Sequence, residues 1–315
     1  MNNMRFCLVA DDKRGNPPKG ENGINLWAEI FGDYKYFGNT SIDNLSVYDI
    51  MMFNLNYEMI EMPIQFKRKF PKILTMGLLD GSIDEHNYWI PRKHLFWLIA
   101  LRTLDIIGVL DPNFIPYIQG LTDKKVVFLG VPFIPPEKPN LCQNYDLLAH
   151  SGLHMQRNGL SDLIVIEKMK LKGIVFAKNN DDVSAMQGLQ LKYTQIVKRD
   201  SYFNFLKYLA QSKICLALDA RYTWGRLSLD CAAFGIPCIG TNRQYTQRIL
   251  FPELTTDDPF NSLNFAVDKV NHLLNNPYYY ERIITYAKKK LVEFDMESSK
   301  KRFLKIIHDY RSRLR

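Results

Sequence analysis

Residues 216–242 read LALDARYTWGRLSLDCAAFGIPCIGTN and contain one complete strand–helix–strand unit. Two short apolar runs, 215–218 and 238–240, predict buried strands. Between them, Gly225 begins a helix with apolar residues along it, and Gly235 ends that helix. This order of strand, polar loop, helix, glycine and strand is typical of a β-α-β unit in a parallel sheet.

The start of this helix is suited to an anionic ligand. The first turn of a helix presents free N–H groups and a partial positive charge. Arg221 and Arg226 flank the start at Gly225, and Asp230 places a carboxylate on a mostly apolar helix. The same residues also allow a plainer interpretation, an ordinary crossover helix with two solvated arginines.

The second half of the helix resembles a known signature. Asp230-Cys-Ala-Ala-Phe-Gly-Ile-Pro237 is similar to the Glu-Ala-Met-Ala-x-Gly-x-Pro signature of retaining GT-B glycosyltransferases of the glycogen-synthase-like and sucrose-synthase-like group. Gly225 falls where these enzymes have the glycine of their phosphate-binding helix start. The resemblance implies that this helix start holds the donor diphosphate and that Asp230 binds the ribose hydroxyls.

One position departs from the family pattern. GT-B relatives have a first carboxylate eight residues before the second, and Tyr222 stands there in this chain. The resemblance places that position at the donor sugar, where it supports the charged transition state. We therefore take Tyr222 as a candidate catalytic residue, with Asp219 as the alternative substitute for the carboxylate. An altered donor preference is expected, and loss of activity is the alternative.

A second segment resembles the family's Gly-Arg-…-Lys-Gly loop, in which two basic residues hold the donor diphosphate. Gly152 and Gly159 have the family's spacing, but Leu153 and Asn158 occupy the two basic positions. Arg157 is one residue away and would supply the missing charge, because its guanidinium can grip two phosphate oxygens at once. A surface arginine is the alternative.

Three more residues are candidates for donor binding. Residues 197–202, which include Val197 and Arg199, lie where the family positions the nucleotide base. Arg243 follows the strand 238–240, in residues expected to open the next helix, and would reach phosphate or sugar. For both arginines, a solvated surface position is the alternative.

The first half of the chain predicts another α/β domain. A strand at 5–10, a loop rich in Gly, Pro, Asn and Lys, and a helix at 24–31 are typical of the start of a doubly wound domain. The loop glycines do not have dinucleotide-binding spacing, and the resemblance places this loop, with Gly23, at the acceptor. Asp80 and His86 lie in a polar loop after a later strand and are candidate catalytic residues, with a solvated turn as the alternative.

A proline-rich segment, PFIPPEKP at 132–139, disfavours a helix and marks the domain boundary. We expect an N-terminal Rossmann-like acceptor domain at 1–131, a linker at 132–140 and a nucleotide-sugar-binding domain at 141–295. A basic helix at 296–315 would pack back on the first domain. The expected fold is therefore α/β with GT-B architecture, in which two Rossmann-like domains face each other across a cleft.

Composition agrees with two domains. The chain has 315 residues, of which 46% are hydrophobic and 13% aromatic, enough for two buried cores. No apolar run approaches the roughly 20 residues of a membrane span, and the N-terminus predicts a strand and no signal peptide. The five cysteines form no C-x-x-C pair, which is typical of reduced core residues in a cytoplasmic protein.

The net charge of +8 predicts an anionic partner: nucleotide phosphates, nucleic acid or an acidic membrane surface. Basic residues are concentrated in the tail, at 288–290 and 300–302, and apolar residues alternate with them. This pattern predicts an amphipathic helix whose apolar side packs on the protein and whose basic side is solvated. DNA, or the anionic inner face of the membrane, is the alternative partner of the basic side.

We expect neither a metal nor a cofactor. His150 and His154 are four residues apart, but they lack the acidic partner of an H-E-x-x-H helix and have Gly152 between them. The Asp-x-Asp motif that holds a divalent ion in the other glycosyltransferase fold is absent from the sequence, as are a P-loop and a G-x-S-x-G elbow. The helix start and the arginines would then do the work of the ion.

These observations favour a glycosyltransferase that moves a sugar from a nucleotide-sugar to a hydroxyl of a saccharide or glycolipid, with retention and without a metal. Two alternatives stay open. The basic surface fits a phage-type DNA glucosyltransferase that acts on hydroxymethylated bases. Tyr222 fits a non-catalytic protein that binds nucleotide-sugars or a protein partner.

Overall fold

The chain forms two compact units, each built around its own parallel sheet. The computed structural model describes residues 4–11, 23–81, 89–150, 159–177, 179–258 and 262–313. Unit 1 comprises Met1–Ile134 and Glu293–Arg315, and unit 2 comprises Pro135–Val292. Each contains one six-stranded sheet, so the predicted class, α/β with alternating strands and helices, is confirmed.

Unit 1 has the sheet order β2-β1-β3-β4-β5-β6, and all its strand pairs are parallel. Its strands are β1 Phe6–Ala10, β2 Gly32–Tyr36, β3 Ile50–Asn54, β4 Leu74–Leu79, β5 Ile106–Val109 and β6 Lys125–Phe128. Its helices up to the linker are α1 Leu26–Phe31, α2 Glu61–Lys69, α3 Pro91–Thr103 and α4 Ile115–Gln119. β1, β3 and β4 are buried along their whole length because the sheet is covered on both faces.

Unit 2 repeats this architecture with the sheet order β12-β11-β10-β7-β8-β9. Its strands are β7 Tyr145–Ala149, β8 Gly173–Ala177, β9 Thr194–Lys198, β10 Ser212–Ala217, β11 Cys238–Thr241 and β12 Thr255–Thr256. Its helices are α5 Gly159–Met169, α6 Asn180–Gly188, α7 Tyr202–Ala210, α8 Arg226–Phe234, α9 Tyr245–Leu250, α10 Ser262–Asn275 and α11 Pro277–Leu291.

The order of the strands in unit 2 places a ligand site. The chain runs outward from β7 to β8 and β9 on one side and from β10 to β11 and β12 on the other. The two directions diverge between β7 and β10, and open α/β sheets bind ligands in the crevice outside the strand carboxyl ends at such a point. The residues after β10, 218–225, therefore lie beside the crevice, and α8 begins there.

The last helix, α12 Met296–Arg313, belongs to unit 1. The ring of Phe303 lies against Phe31, Phe6 and Trp27, with centroid distances of 4.3, 5.6 and 5.7 Å. Arg302 Nε donates to Leu129 O at 2.9 Å. The helix thus packs on the first sheet through its apolar side, as the resemblance implies. No helix among the described residues is long and apolar enough to cross a membrane.

Element boundaries differ from the sequence expectation in one place that affects the site. The helix predicted from Arg243 begins only at Tyr245. Thr223 N donates to Arg243 O at 3.0 Å and Tyr245 N donates to Thr223 O at 3.2 Å, so this backbone pairs with the loop before α8 and cannot join a helix. Arg243 consequently lies in a loop.

We expect Phe303→Ala to lower the free energy of unfolding of unit 1 by about 3 to 5 kcal/mol, because it empties the centre of a buried aromatic cluster. Phe203→Ala is the matched control, since that ring is 62% exposed and its removal should change stability by about 0.5 kcal/mol or less. Urea denaturation followed by tryptophan fluorescence measures both. Equal effects of the two changes would contradict the packing of α12.

Candidate functional site

The start of α8 is fixed by a backbone conformation that glycine adopts readily. Gly225, the residue before α8, has φ +87° and ψ +46°, in the left-handed region. A Cβ at this position would lie 2.6 Å from Thr246 Oγ1 and 2.9 Å from Gln244 Cβ. The first-turn N–H groups of α8 are therefore held at the carboxyl end of β10, where they can bind an anion.

The loop before α8 is bonded to the residues that follow β11. Thr223 and Gln244 form an isolated parallel bridge. Thr246 N donates to Trp224 O at 3.1 Å, and Thr246 Oγ1 donates to Gly225 O. The carboxyl ends of two neighbouring strands are thus joined into one continuous edge beside the crevice.

Asp219, the sequence alternative for the absent family carboxylate, points into this edge. It is buried, and its Oδ1 accepts a hydrogen bond from Arg221 N at 2.9 Å. Its carbonyl accepts from Thr241 Oγ1 at 2.5 Å. The Asp219 carboxylate therefore stabilises the turn that leads to Tyr222.

Asp230 lies on α8 and faces α7. Tyr202, the first residue of α7, donates from its hydroxyl to Asp230 Oδ1 at 2.7 Å. Arg226 Nε is 3.8 Å from Asp230 Oδ2, and the guanidinium stacks on the Tyr202 ring, 3.9 Å from its centroid. We call Tyr202, Arg226 and Asp230 the Asp230 cluster.

The pKa of Asp230 and the position of its Oδ2 determine whether this carboxylate can accept a hydrogen bond from a ligand. Burial raises its pKa to about 6, against the opposing effects of the Arg226 charge, the Tyr202 hydroxyl and the Arg199 charge. Burial, and then the charge of Asp230, also raise the pKa of Tyr202. At pH 7 the carboxylate is mostly ionised, and its Oδ2 is farther from Arg226 Nε than a hydrogen bond allows. That oxygen can accept from a hydroxyl of a ligand.

A second set of stacked rings lies on the α9 side of α8. The Arg243 guanidinium is 4.2 Å from the centroid of the Tyr222 ring. Trp224 and Tyr245 stack with centroids 5.4 Å apart and planes at 27°, and Arg248 lies 5.5 Å over the Tyr245 ring. Tyr222, the candidate catalytic residue, therefore belongs to a surface of aromatic rings and guanidinium groups at the ends of β10 and β11.

Val197 and Arg199, two more of the candidate donor residues, lie at the end of β9. Val197 is half-buried, one residue before the end of β9. Arg199 follows that strand, donates from its N–H to Ala177 O at 2.8 Å and places its guanidinium 5.6 Å over the Phe205 ring. Its charge acts on Asp230, so the end of β9 and α8 share one electrostatic environment.

The remaining candidate residues lie either in unit 1 or outside the described residues. Asp80 is exposed and directly follows β4, and Gly23 precedes α1, where its carbonyl accepts from Leu26 N at 3.1 Å. Both belong to unit 1. His86, Gly152 and Arg157 lie outside the described residues, so their roles stay predictions.

The sequence placed Tyr202 in the segment 197–202, which the resemblance assigns to the nucleotide base, but it did not indicate the contact of Tyr202 with Asp230. Tyr202 follows Ser201, whose Oγ accepts from Asn204 N at 3.2 Å as the N-cap of α7, and the local pattern predicts only a helix start there. The contact between Tyr202 and Asp230 spans 28 positions and comes from the packing of α7 on α8. No periodicity in the sequence indicates it.

Three cysteines lie beneath α8. The Sγ atoms of Cys215, Cys231 and Cys238 are all within 4.8 Å of one another, and all three residues are buried. They are the group among the described residues that could offer three ligand atoms to a metal ion. Burial raises the pKa of Cys215 and Cys231, so those thiols stay protonated at neutral pH and pack as small apolar groups of the core.

We expect Gly225→Ala to destabilise unit 2 by about 2 kcal/mol or more and to weaken the binding of an anion at the helix start, because the left-handed backbone is strained for alanine and the new Cβ meets Thr246. Gly188→Ala is the matched control, because a Cβ there has open space. Thermal unfolding with and without ligand measures both effects. A Gly225→Ala protein as stable as the Gly188→Ala protein would contradict the account of the helix start.

We expect Asp230→Asn to stabilise the ligand-free protein at pH 8. The folded-state pKa of Asp230 is raised above its unfolded value of 3.8 to about 6, so ionisation opposes folding as pH rises between these values. The substitution should add on the order of 1 to 3 kcal/mol at pH 8 and almost nothing near pH 4. Urea denaturation of both proteins from pH 4 to pH 8 measures this difference. An Asp230→Asn protein that is less stable than the wild type by the same amount at pH 4 and at pH 8 would contradict the expectation.

Comparison with known proteins gives a match in structure only. No family model and no curated protein matches the sequence. Sucrose-phosphate synthase from Thermosynechococcus elongatus superposes with a TM-score of 0.75 at 11% identity, over 99% of each chain. Anabaena HepE in complex with UDP-glucose has a TM-score of 0.73 at 10% identity, over 98% of this chain and 100% of that one.

A third similar structure is the pneumococcal O-GlcNAc transferase GtfA in complex with UDP and GlcNAc. Its TM-score is 0.62 at 11% identity, over 85% of this chain and 58% of that one. At identities of 10–11%, these comparisons show a shared fold only. The two Rossmann-like sheets and their connections are those of these neighbours over almost the entire chain. This chain therefore has the GT-B fold, as the signature that begins at Asp230 predicted.

Proposed function

We propose that the chain is a glycosyltransferase that moves a sugar from a nucleotide-sugar donor to an acceptor hydroxyl. One observation carries the proposal: a glycine-started helix at the switch point of unit 2 bears a buried carboxylate one turn from its anion-binding end. The GT-B neighbour HepE is a complex with UDP-glucose, and GtfA is a complex with UDP and GlcNAc. The ligands of both neighbours support the proposal of a nucleotide-sugar donor.

The donor is proposed to bind along α8. Its diphosphate accepts hydrogen bonds from the first-turn N–H groups after Gly225, and a ribose hydroxyl donates to Asp230 Oδ2. Tyr202 and Arg226 hold the carboxylate in place from the α7 side. Arg157 is proposed to add a second positive charge at the diphosphate, and Val197 and Arg199 to border the base.

The reaction exchanges one bond at the anomeric carbon for another. The bond between that carbon and the β-phosphate oxygen breaks, and its electron pair stays on the nucleoside diphosphate. The acceptor hydroxyl oxygen forms the new bond and gives its proton to the released diphosphate or to solvent. The helix start and the arginines stabilise the charge on the leaving diphosphate, so we propose transfer without a metal ion. Retention of configuration is proposed from the resemblance of the signature at Asp230 to that of retaining enzymes.

The proposed acceptor is a hydroxyl of a saccharide or glycolipid. Acceptors in GT-B enzymes are expected in the first domain, where Gly23, Asp80 and His86 are the candidates from the sequence. α12 offers a separate basic surface at Lys300, Lys305 and Arg311, which are exposed, while its apolar residues Phe303, Ile306 and Ile307 are buried within unit 1. Contact of this helix with an anionic membrane or with DNA would therefore be electrostatic, without insertion of its apolar side.

The test is a thermal-shift panel of UDP-, GDP- and ADP-sugars, with and without EDTA. At about 100 times its dissociation constant, the correct donor should stabilise the protein by roughly 2.7 kcal/mol, and EDTA should make no difference. Asp230→Ala should abolish the shift, and Arg157→Ala should weaken it. Asp268→Ala, which removes an exposed carboxylate on α10, is the matched control and should keep the shift.

Turnover is then measured as release of nucleoside diphosphate, first with water and then with a panel of saccharide acceptors. Stabilisation without release would favour a non-catalytic nucleotide-sugar-binding protein. A protein that no nucleotide-sugar stabilises, but that duplex DNA or anionic vesicles do, would contradict the proposal and assign the function to the basic surface.

A further inference from the structure

Arg243 has an arrangement that the binding of a neutral sugar does not explain. Its guanidinium is stacked on Tyr222, and its Nε is buried without a hydrogen-bond partner. Within the part of the chain that the structure describes, no carboxylate forms an ion pair with it. Buried donor atoms are nearly always hydrogen-bonded in folded proteins, so a donor left without a partner indicates a group that is still to bind.

The adjacent residue shows the complementary feature. Asn242 Oδ1 is also buried without a partner among the described residues, while its Nδ2 donates to Asp257 Oδ1 at 3.2 Å. A donor with a positive charge and a neutral acceptor therefore lie side by side after β11. Together they suit a ligand that presents an anionic oxygen and a hydroxyl group.

The carboxylates of Asp219 and Asp257, which lie at this edge, form hydrogen bonds with groups other than Arg243. Asp219 is buried and bonded to Arg221 N, and Asp257 is bonded to Asn242. Arg226 belongs to the Asp230 cluster on the α7 side. Arg243 is a cation of this edge that forms no ion pair within the described residues and has a buried Nε without a hydrogen-bond partner.

The position of Arg243 relative to α8 indicates which part of the donor reaches it; this step rests on the proposed function. With the diphosphate at the start of α8 and the ribose at Asp230 on the α7 side, the other end of the diphosphate points to the α9 side. Tyr222, Asn242 and Arg243 lie on that side, because the loop before α8 is bonded to the residues after β11. The group attached to the second phosphate is the sugar.

We propose that the transferred sugar is acidic: Arg243, held flat by Tyr222, binds a carboxylate on the donor sugar, and Asn242 Oδ1 accepts from a neighbouring hydroxyl. Arginine suits this task because its fork matches a carboxylate and its face stacks on an aromatic ring. The substrate class is then a nucleoside-diphosphate-linked uronic acid. Tyr222 in place of an acidic residue fits the same conclusion, because a carboxylate there would repel the sugar.

The experiment compares matched donors that differ only in that carboxylate. Binding of UDP-glucuronic acid, UDP-glucose and UDP is measured by calorimetry, and so is the pair GDP-mannuronic acid and GDP-mannose. In one of the two pairs, the acidic sugar should bind about 10- to 100-fold more tightly, as expected for a charge-assisted hydrogen bond in a partly buried site. Arg243→Gln should reduce the ratio to about threefold or less, and Arg243→Lys should keep part of it.

The control is Arg282→Gln, because Arg282 also lies over a tyrosine ring, 5.2 Å from Tyr279, but is paired with Glu253 on the surface. This variant should keep the full preference, and unchanged melting of each variant shows that it is folded. A neutral sugar that binds as tightly as its acidic partner overturns the inference and leaves the proposed donor site standing. The inference is also overturned if Arg243→Gln lowers the affinity for UDP and for both UDP-sugars by the same factor, because Arg243 then binds the diphosphate. Absence of any nucleotide binding overturns the proposed function together with the inference.

Discussion

The left-handed backbone of Gly225 is the constraint on which the site of unit 2 depends. It turns the chain from β10 into α8 within a few residues and leaves room for Thr246 to bond to the Gly225 carbonyl. A side chain at this position would collide with that threonine. The same glycine thus fixes the anion-binding end of α8, joins two strand ends into one edge and sets the direction in which Asp230 faces.

A buried carboxylate is the second requirement, and it opposes folding. Asp230 has a raised pKa because burial removes it from water, and Tyr202 and Arg226 compensate only in part. Active and binding sites commonly retain such groups, since an acceptor that its own protein has not fully satisfied is available to a ligand. A carboxylate whose burial raises its pKa is therefore consistent with a site kept for a hydroxyl-bearing ligand.

The fold was largely predictable from the sequence, and the site only in part. Alternating apolar runs and helices predicted the α/β class, because that class depends on local pattern. The GT-B fold was implied by the resemblance of the signature that begins at Asp230. β12 has two residues and α6 buries only Met186, so neither has a periodicity that stands out. Tyr202 and the stack of Arg243 on Tyr222 depend on tertiary packing, which spacing along the chain does not indicate.

The central claim is that a nucleotide-sugar lies along α8 from its first turn to Asp230. Hydrogen exchange of the wild-type protein, compared with and without the nucleotide-sugar that stabilises it most, tests this directly because it locates the bound ligand. The account predicts slower exchange of the amides at 225–229 and of those at 199–205, near Arg199 and Tyr202. Protection confined to unit 1, with unchanged exchange at 225–229, would contradict it.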